Sequence, residues 1–196
     1  TKAPTVKIAG AMRHVMWQGA LGPVIQLDTI GQQEGLYGLG PLSYLQGELL
    51  IKDGIAYVAR VVSDSSMSVE RSQELTAPFF VYTNVQDWEV VPLPDSVQDL
   101  ATLEAHIHHL VQHRPNPFPF QLRGLIQDAD IHIQNLAPGS KVSNPREAHR
   151  GQVNYTLQAL PVDIVGFYST SHQGVFTHHD SFVHLHLITR DESQMG

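Results

Sequence analysis

Apolar and polar residues alternate in short runs along most of this chain, and glycine, proline, asparagine and aspartate punctuate the runs. That texture predicts strands joined by turns. The opening "VKIAG" reads as a strand, and a short helical stretch follows around Met12 to Trp17 before a glycine-rich passage. "GELLIKDGIAYVARVV" is the clearest hairpin, because Asp53-Gly54 supplies the positive φ angles of a tight turn between two apolar strands. "APFFVYTNV" is a further strand, rich in aromatic and β-branched residues.

One segment carries helical periodicity. In "DSVQDLATLEAHIHHLVQHR" an apolar stripe runs through Leu100, Leu103, Ile107 and Leu110, with Ser96 as the expected cap and Asp99 favouring the positive end. The proline-rich "RPNPFPF" stops the helix and marks a seam near residues 114–120. Beyond it, "FQLRGLIQDADIHIQN" reads as another hairpin, and "VDIVGFYS" and "SFVHLHLIT" as closing strands. The expected class is α+β, with largely antiparallel or mixed sheets in two associated halves and one prominent helix.

Composition narrows the function. Hydrophobic residues are 42% and charged residues 16%, ordinary values for a globular domain, and the 196 residues suffice for a single unit. A formal net charge of −7 argues against nucleic acid as a partner. The longest apolar run is too short to span a membrane. Absence of cysteine excludes thiolate metal sites and cysteine nucleophiles. The start, "TKAPTVKIAG", has no initiator Met and no apolar signal segment, so a trimmed start is expected and the compartment stays open between cytoplasmic and exported.

Twelve histidines are the compositional clue to chemistry. On the strand "FVHLHLIT", His184 and His186 share a face with Phe182 and Ile188, roughly 6–7 Å apart at Cα for a rise of about 3.3 Å per residue. Two imidazoles so placed converge on a cation or form an inert hydrogen-bonded pair; the spacing alone allows both. His106, His109 and His113 also share a helical face, read as the solvated side of the helix. His178 and His179 fall in the loop leading to the histidine strand, either near enough to reach a metal or only polar groups of the loop.

Three stretches, in order, resemble the bacterial alpha-acetolactate decarboxylase family. "GLGPLSYLQGELLIKDGIAYVA" is similar to that family's G-x-G-T-F-N-x-L-D-G-E-L segment, "PFPFQLRGLI" to a strand carrying an active-site arginine, and "DIVGFYSTS…FVHLHLITRDESQMG" to its G-T-I-V-G-F…Y-H-L-H-F-I region. The resemblance implies a zinc-dependent carboxy-lyase acting on a small 2-hydroxy-3-oxo acid, and a homodimer. It implies that Glu48 and Arg123 are catalytic, that Leu45 and Arg123 bind substrate, and that His184 and His186 hold zinc. The family's third histidine ligand would fall just beyond Gly196, so the C-terminal part of the family domain is expected to be missing.

Departures bear on the substrate. Pro41 stands where the family has threonine, Gln46 where it has aspartate, and Gly124 interrupts an R-I-D-G pattern. The loop from Phe167 to His184 is longer and carries His172, His178 and His179. Neither a lysine in a pyridoxal setting nor a phosphate-binding glycine loop competes with the metal reading. Two rivals do: a non-catalytic metal-binding module resembling the plant-and-prokaryote-conserved domain, which also has an H-L-H strand, and an inactive decarboxylase relative. Only an enzyme needs Glu48 and Arg123 beside the metal; otherwise Glu48 is a strand glutamate paired with a lysine.

Overall fold

The structure, a computed structural model, describes residues 4–196; the first three residues of the expected trimmed start lie outside the described residues. Strands β1 (Lys7–Gly10), β3 (Leu36–Pro41), β4 (Glu48–Lys52), β5 (Ile55–Ser63), β6 (Ser66–Arg71) and β8 (Phe79–Asn84) form a six-stranded sheet in the order β1-β8-β3-β4-β5-β6. Short strands β2 (Ile25–Gln26) and β7 (Thr76–Ala77) pair separately. The β4–β5 hairpin turns at Asp53 (φ 51°) and Gly54 (φ 79°), and the Asp53 carboxylate accepts the Gly35 N–H at 2.7 Å. Consecutive positive φ angles match the twist of the flanking strands, which is why this dipeptide was readable. Glu48 through Ile51 are all buried, so β4 is covered on both faces.

The second sheet has three strands in the order β11-β10-β9: β9 (Phe118–Ile133), β10 (Val153–Tyr168) and β11 (Val183–Thr189). Here the expected "FQLRGLIQDADIHIQN" hairpin is corrected. The segment is one sixteen-residue strand, antiparallel to β10 from Phe118 opposite Tyr168 to Ile133 opposite Val153. Gly124 looks like a turn residue but lies across from Val162, and the polar "QDAD" run is largely exposed strand rather than a loop. An equally long partner pairs with fifteen of its sixteen residues, so the chain gains nothing by turning.

The principal core lies between these sheets. Tyr37, Leu39, Leu50, Tyr57 and Val81 from the first meet Ile133, Leu157, Val165, Phe167 and Leu187 from the second. Sheet-on-sheet packing with few helices is the α+β, largely antiparallel architecture expected. Gly166 is required locally: a Cβ there would stand 2.2 Å from the ring of Phe120, its cross-strand partner.

Helices fill the flanks. Helix α1 (Met12–Gln18) has its first N–H groups bonded to the loop before β11, Met12 to Val175 O and Arg13 to Gly174 O, both at 2.8 Å. Helix α2 (Leu100–Val111) is capped by Asp99, not Ser96, through a reciprocal box with Thr102. Its buried stripe is Leu103, Ile107 and Val111, packed near Phe120, Tyr168 and Val183, while Leu100 and Leu110 are exposed. Steps of four from Leu103 through Ile107 lead to Val111 and leave Leu110 on the outer side. His109 and His113 are exposed, as a solvated helical face requires.

Candidate active site

The histidine strand behaves as its alternation requires. The rings of His184 and His186 stand on one face of β11 with centroids 5.1 Å apart. His186 Nδ1 meets the Leu49 carbonyl of β4 at 2.9 Å, and His184 Nδ1 meets the Phe176 carbonyl at 2.6 Å. A carbonyl only accepts, so each Nδ1 carries the proton and each Nε2 keeps its lone pair. That is the tautomer a cation needs.

Glu48 opens β4 and is 4% exposed. Its Oε1 accepts the main-chain N–H of Gln134 at 3.2 Å, and its Oε2 lies 3.6 Å from His186 Nε2. Burial pushes the Glu48 carboxyl up to about 8, against the opposing pull of the Gln134 N–H. Burial likewise pushes His186 down to about 4, helped by His132, and holds His184 well below the usual imidazole range. The three groups therefore form a neutral cluster at pH 7, a carboxylic acid beside two free bases.

One narrow cavity of about 30 Å³ joins Glu48, His184 and Leu45. Met12 and Met16 of α1, with Pro41 and Phe79, supply its apolar wall; His132, Gln134, His149 and His178 supply its polar one. Leu45 (φ 52°) follows Tyr44 (φ 62°), two non-glycine residues in left-handed conformation, and this strained corner turns the buried Leu45 side chain into the cavity. A roomier space of about 270 Å³ nearby, bordered by Gly19, Tyr44, Leu136 and Ser140, offers hydroxyls but no carboxylate, imidazole or guanidinium. The acid and base side chains line the smaller one.

Arg123 does not join the others. It lies opposite Asp163 on β10, which in turn lies opposite Ile188 on β11, and its side chain is 72% exposed. Arg123 Nε donates to Asp163 Oδ1 at 2.9 Å, while Lys52 Nζ of β4 donates to Asp163 Oδ2 at 2.9 Å. A guanidinium in that register serves a buried carboxylate at the sheet interface and is absent from the cavity lining. The expected convergence is thus corrected: Glu48, Leu45, His184 and His186 come together, and Arg123 stays outside.

A family model described as alpha-acetolactate decarboxylase matches residues 11–196. The chain belongs to that family. It is accordingly an enzyme of the carboxy-lyase class. Solved structures agree on the fold of this decarboxylase-family chain. Alpha-acetolactate decarboxylase from Bacillus subtilis strain 168 superposes with a TM-score of 0.80 at 21% identity, covering 97% of this chain and 78% of that one. A Staphylococcus aureus protein of unknown function, similar to alpha-acetolactate decarboxylase, gives 0.78 at 19% identity with the same coverages. No curated protein matches the sequence.

Among the described residues no three histidine, aspartate or glutamate side chains converge as a complete metal shell. What the decarboxylase-family site does offer fits part of one: two Nε2 lone pairs side by side and a carboxyl within reach of the second. His178 reaches the cavity as expected, its ring centroid 6.3 Å from that of His184, whereas His179 is exposed. His132, Gln134 and His149 went unnoticed in the sequence. His132 and Gln134 carried a signal, since "HIQ" places them two apart on one face of the strand end. His149 carried none; it arrives after the short helix α3 (Pro145–Ala148), capped by Asn144.

Proposed function

We propose that this chain decarboxylates 2-acetolactate to acetoin and CO2 at a divalent-metal centre, zinc by preference, on His184 and His186. The observation that carries the proposal is the buried Glu48 carboxyl standing 3.6 Å from the free Nε2 of His186 in a cavity shared with His184.

Loss of CO2 breaks the bond between the carboxylate carbon and C2, and its electron pair passes through C2 to the ketone oxygen. The metal, when bound, supplies a Lewis acid for that developing charge. Glu48, beside His186 and lining the cavity, is placed to deliver the proton that C2 must receive in place of CO2. Leu45, Met12 and Met16 exclude water from the carbanionic centre, and the unbranched methionines can move aside for a substrate larger than the resting cavity. Arg123 has no part in this scheme. The cavity's polar wall presents the imidazoles of His132, His149 and His178 to the carboxylate.

A homodimer completes the reading, and among the described residues the outer edge of β9 has no strand beside it.

The test compares the parent protein with its His186→Ala and Glu48→Gln variants. Zinc is titrated calorimetrically and acetoin measured from acetolactate. Stoichiometric zinc and acetoin in the parent support the proposal, and His186→Ala should abolish both. Glu48→Gln should retain zinc while lowering kcat by about 10²–10⁴-fold. Turnover that survives complete chelation, or that is equal in Glu48→Gln, would refute it.

A further inference from the structure

Gln134 follows directly on β9, lines the cavity, and is 6% exposed. Its side chain is only half used. Nε2 donates to Gln152 Oε1 at 2.9 Å, and Gln152 Nε2 donates onward to Asn154 Oδ1 at 3.0 Å. This relay holds the amide by its nitrogen. Oε1 is buried with no hydrogen-bond partner. The main-chain N–H of the same residue holds Glu48.

A buried carbonyl oxygen without a donor is rare in folded proteins, because the desolvated acceptor is left uncompensated. Here it belongs to a side chain lining the cavity that holds Glu48 and His184. Its chemistry selects what can sit against it. An amide oxygen attracts an O–H and repels a carboxylate or ketone oxygen, which are acceptors themselves.

We propose that Gln134 is a specificity-determining residue: its side-chain carbonyl accepts the hydroxyl of a 2-hydroxy acid and thereby orients the substrate over Glu48. This rests on the decarboxylase reading above and adds the group that tells a hydroxylated acid from its deoxy analogue. Sites built to satisfy a hydroxyl reject analogues lacking it far more strongly than apolar pockets reject a missing methylene. With the hydroxyl on Gln134, the two remaining oxygen functions turn away from the amide. Because Gln134 also fixes Glu48 through its backbone, the hydroxyl-bearing carbon and the proton donor are registered by one residue.

The test is a binding cycle on zinc-supplemented protein with inert acids. Calorimetry or ligand-observed NMR compares 2-hydroxy-2-methylbutanoate with 2,2-dimethylbutanoate in the parent, in Gln134→Met, which keeps the shape without the acceptor, and in Gln152→Met, which frees the relay. The parent's preference for the hydroxy acid should fall at least tenfold in Gln134→Met and by less in Gln152→Met. An unchanged preference in both variants, or an equal loss for both acids, overturns the proposal. A third probe, the methyl ester of the hydroxy acid, separates donor from acceptor. If the Gln134→Met loss follows the carboxylate instead of the hydroxyl, the amide presents its nitrogen and the proposal fails. Acetoin formation is assayed in parallel. A parent that makes no acetoin yet shows a Gln134-dependent hydroxyl preference defeats the decarboxylase reading alone; normal acetoin formation with an unaltered preference defeats this one alone.

Discussion

Replacing Glu48 by glutamine should stabilise the metal-stripped protein, increasingly so as pH rises. The folded carboxyl is pushed by burial from its ordinary 4.5 up to about 8. Below 4.5 both folded and unfolded chains hold the proton, and Glu48 adds nothing pH-dependent. Between 4.5 and about 8 the unfolded chain releases the proton while the folded one retains it, so unfolding is progressively favoured. Stability is thus fullest below 4.5 and is lost as pH climbs through the folded value; above it, the cost of burying a carboxylate is fully expressed. At about 1.4 kcal/mol per tenfold in proton affinity, the gap is worth roughly 5 kcal/mol, and relaxation of the site reduces this to about 2–5 kcal/mol.

The glutamine side chain of the Glu48→Gln protein escapes the penalty and keeps an oxygen to accept the Gln134 N–H. The assay is urea unfolding of parent and Glu48→Gln proteins, both with a chelator, at half-unit steps from pH 4.5 to 8.5. His184 and His186 titrate in both proteins, so the difference between the curves isolates Glu48. It should be small near pH 5 and reach several kcal/mol, about 2–5, by pH 8. Parallel curves would show that the buried carboxyl is not held protonated. A difference of the opposite sign would mean an ion pair with His186, and the neutral cluster described above would be wrong.

Other expectations test the frame. Burial works to raise the Asp163 carboxyl, but Lys52 and Arg123 outweigh it and hold it below its ordinary range. Its stabilising effect should therefore be present above the unfolded carboxylate range and be lost as pH falls through the folded value; Asp163→Asn should cost about 1–3 kcal/mol by urea unfolding at pH 7 and flatten that acid limb. Gly166→Ala should cost about 1–3 kcal/mol, with partial recovery in combination with Phe120→Leu; full stability in the single variant would contradict the close ring contact. Asp99→Ala should lower Tm while Ser96→Ala leaves it unchanged, and the reverse would restore Ser96 as the cap.

Legibility in the sequence followed the range of the interaction involved. Asp53-Gly54 decides its own turn, and alternation alone places His184 and His186 on one face, so these needed no tertiary knowledge. The α2 cap was ambiguous because Ser96 and Asp99 are both good caps; the Thr102 hydroxyl, closing a reciprocal pair with Asp99, chose between them. Arg123 was misplaced because its surroundings depend on strand register. The same residue on a differently paired strand could face a cavity, but pairing at fifteen of sixteen positions sets it across from Asp163. Gln134 and His149 come from the connection between β9 and β10, whose path is settled only when Leu136 N–H bonds Leu45 O and α3 packs near α1.

What brings these local and distant contributions into one site is β4. Three of its five residues bond to the three-stranded sheet or its immediate continuation: Glu48 to the Gln134 N–H, the Leu49 carbonyl to His186, and Lys52 to Asp163. Elsewhere the sheets meet largely through apolar packing, which is strong but not directional, with Tyr155 of β10 donating its hydroxyl to the Ser63 and Ser66 carbonyls at 3.0 Å as a further polar link. The β4 bonds are directional, and they lie at both ends of that strand. Asp163 anchors one end with a charged pair, leaving the other free to carry a neutral acid and a neutral base without unpaired charge. A shift of one sheet along the other would break the Leu49–His186 bond and free the ring that must present Nε2. The groove between the sheets therefore holds the reactive groups in position by the same bonds that set the register of the fold, and Arg123, expected to act on substrate, contributes by keeping Asp163 in place at the far end.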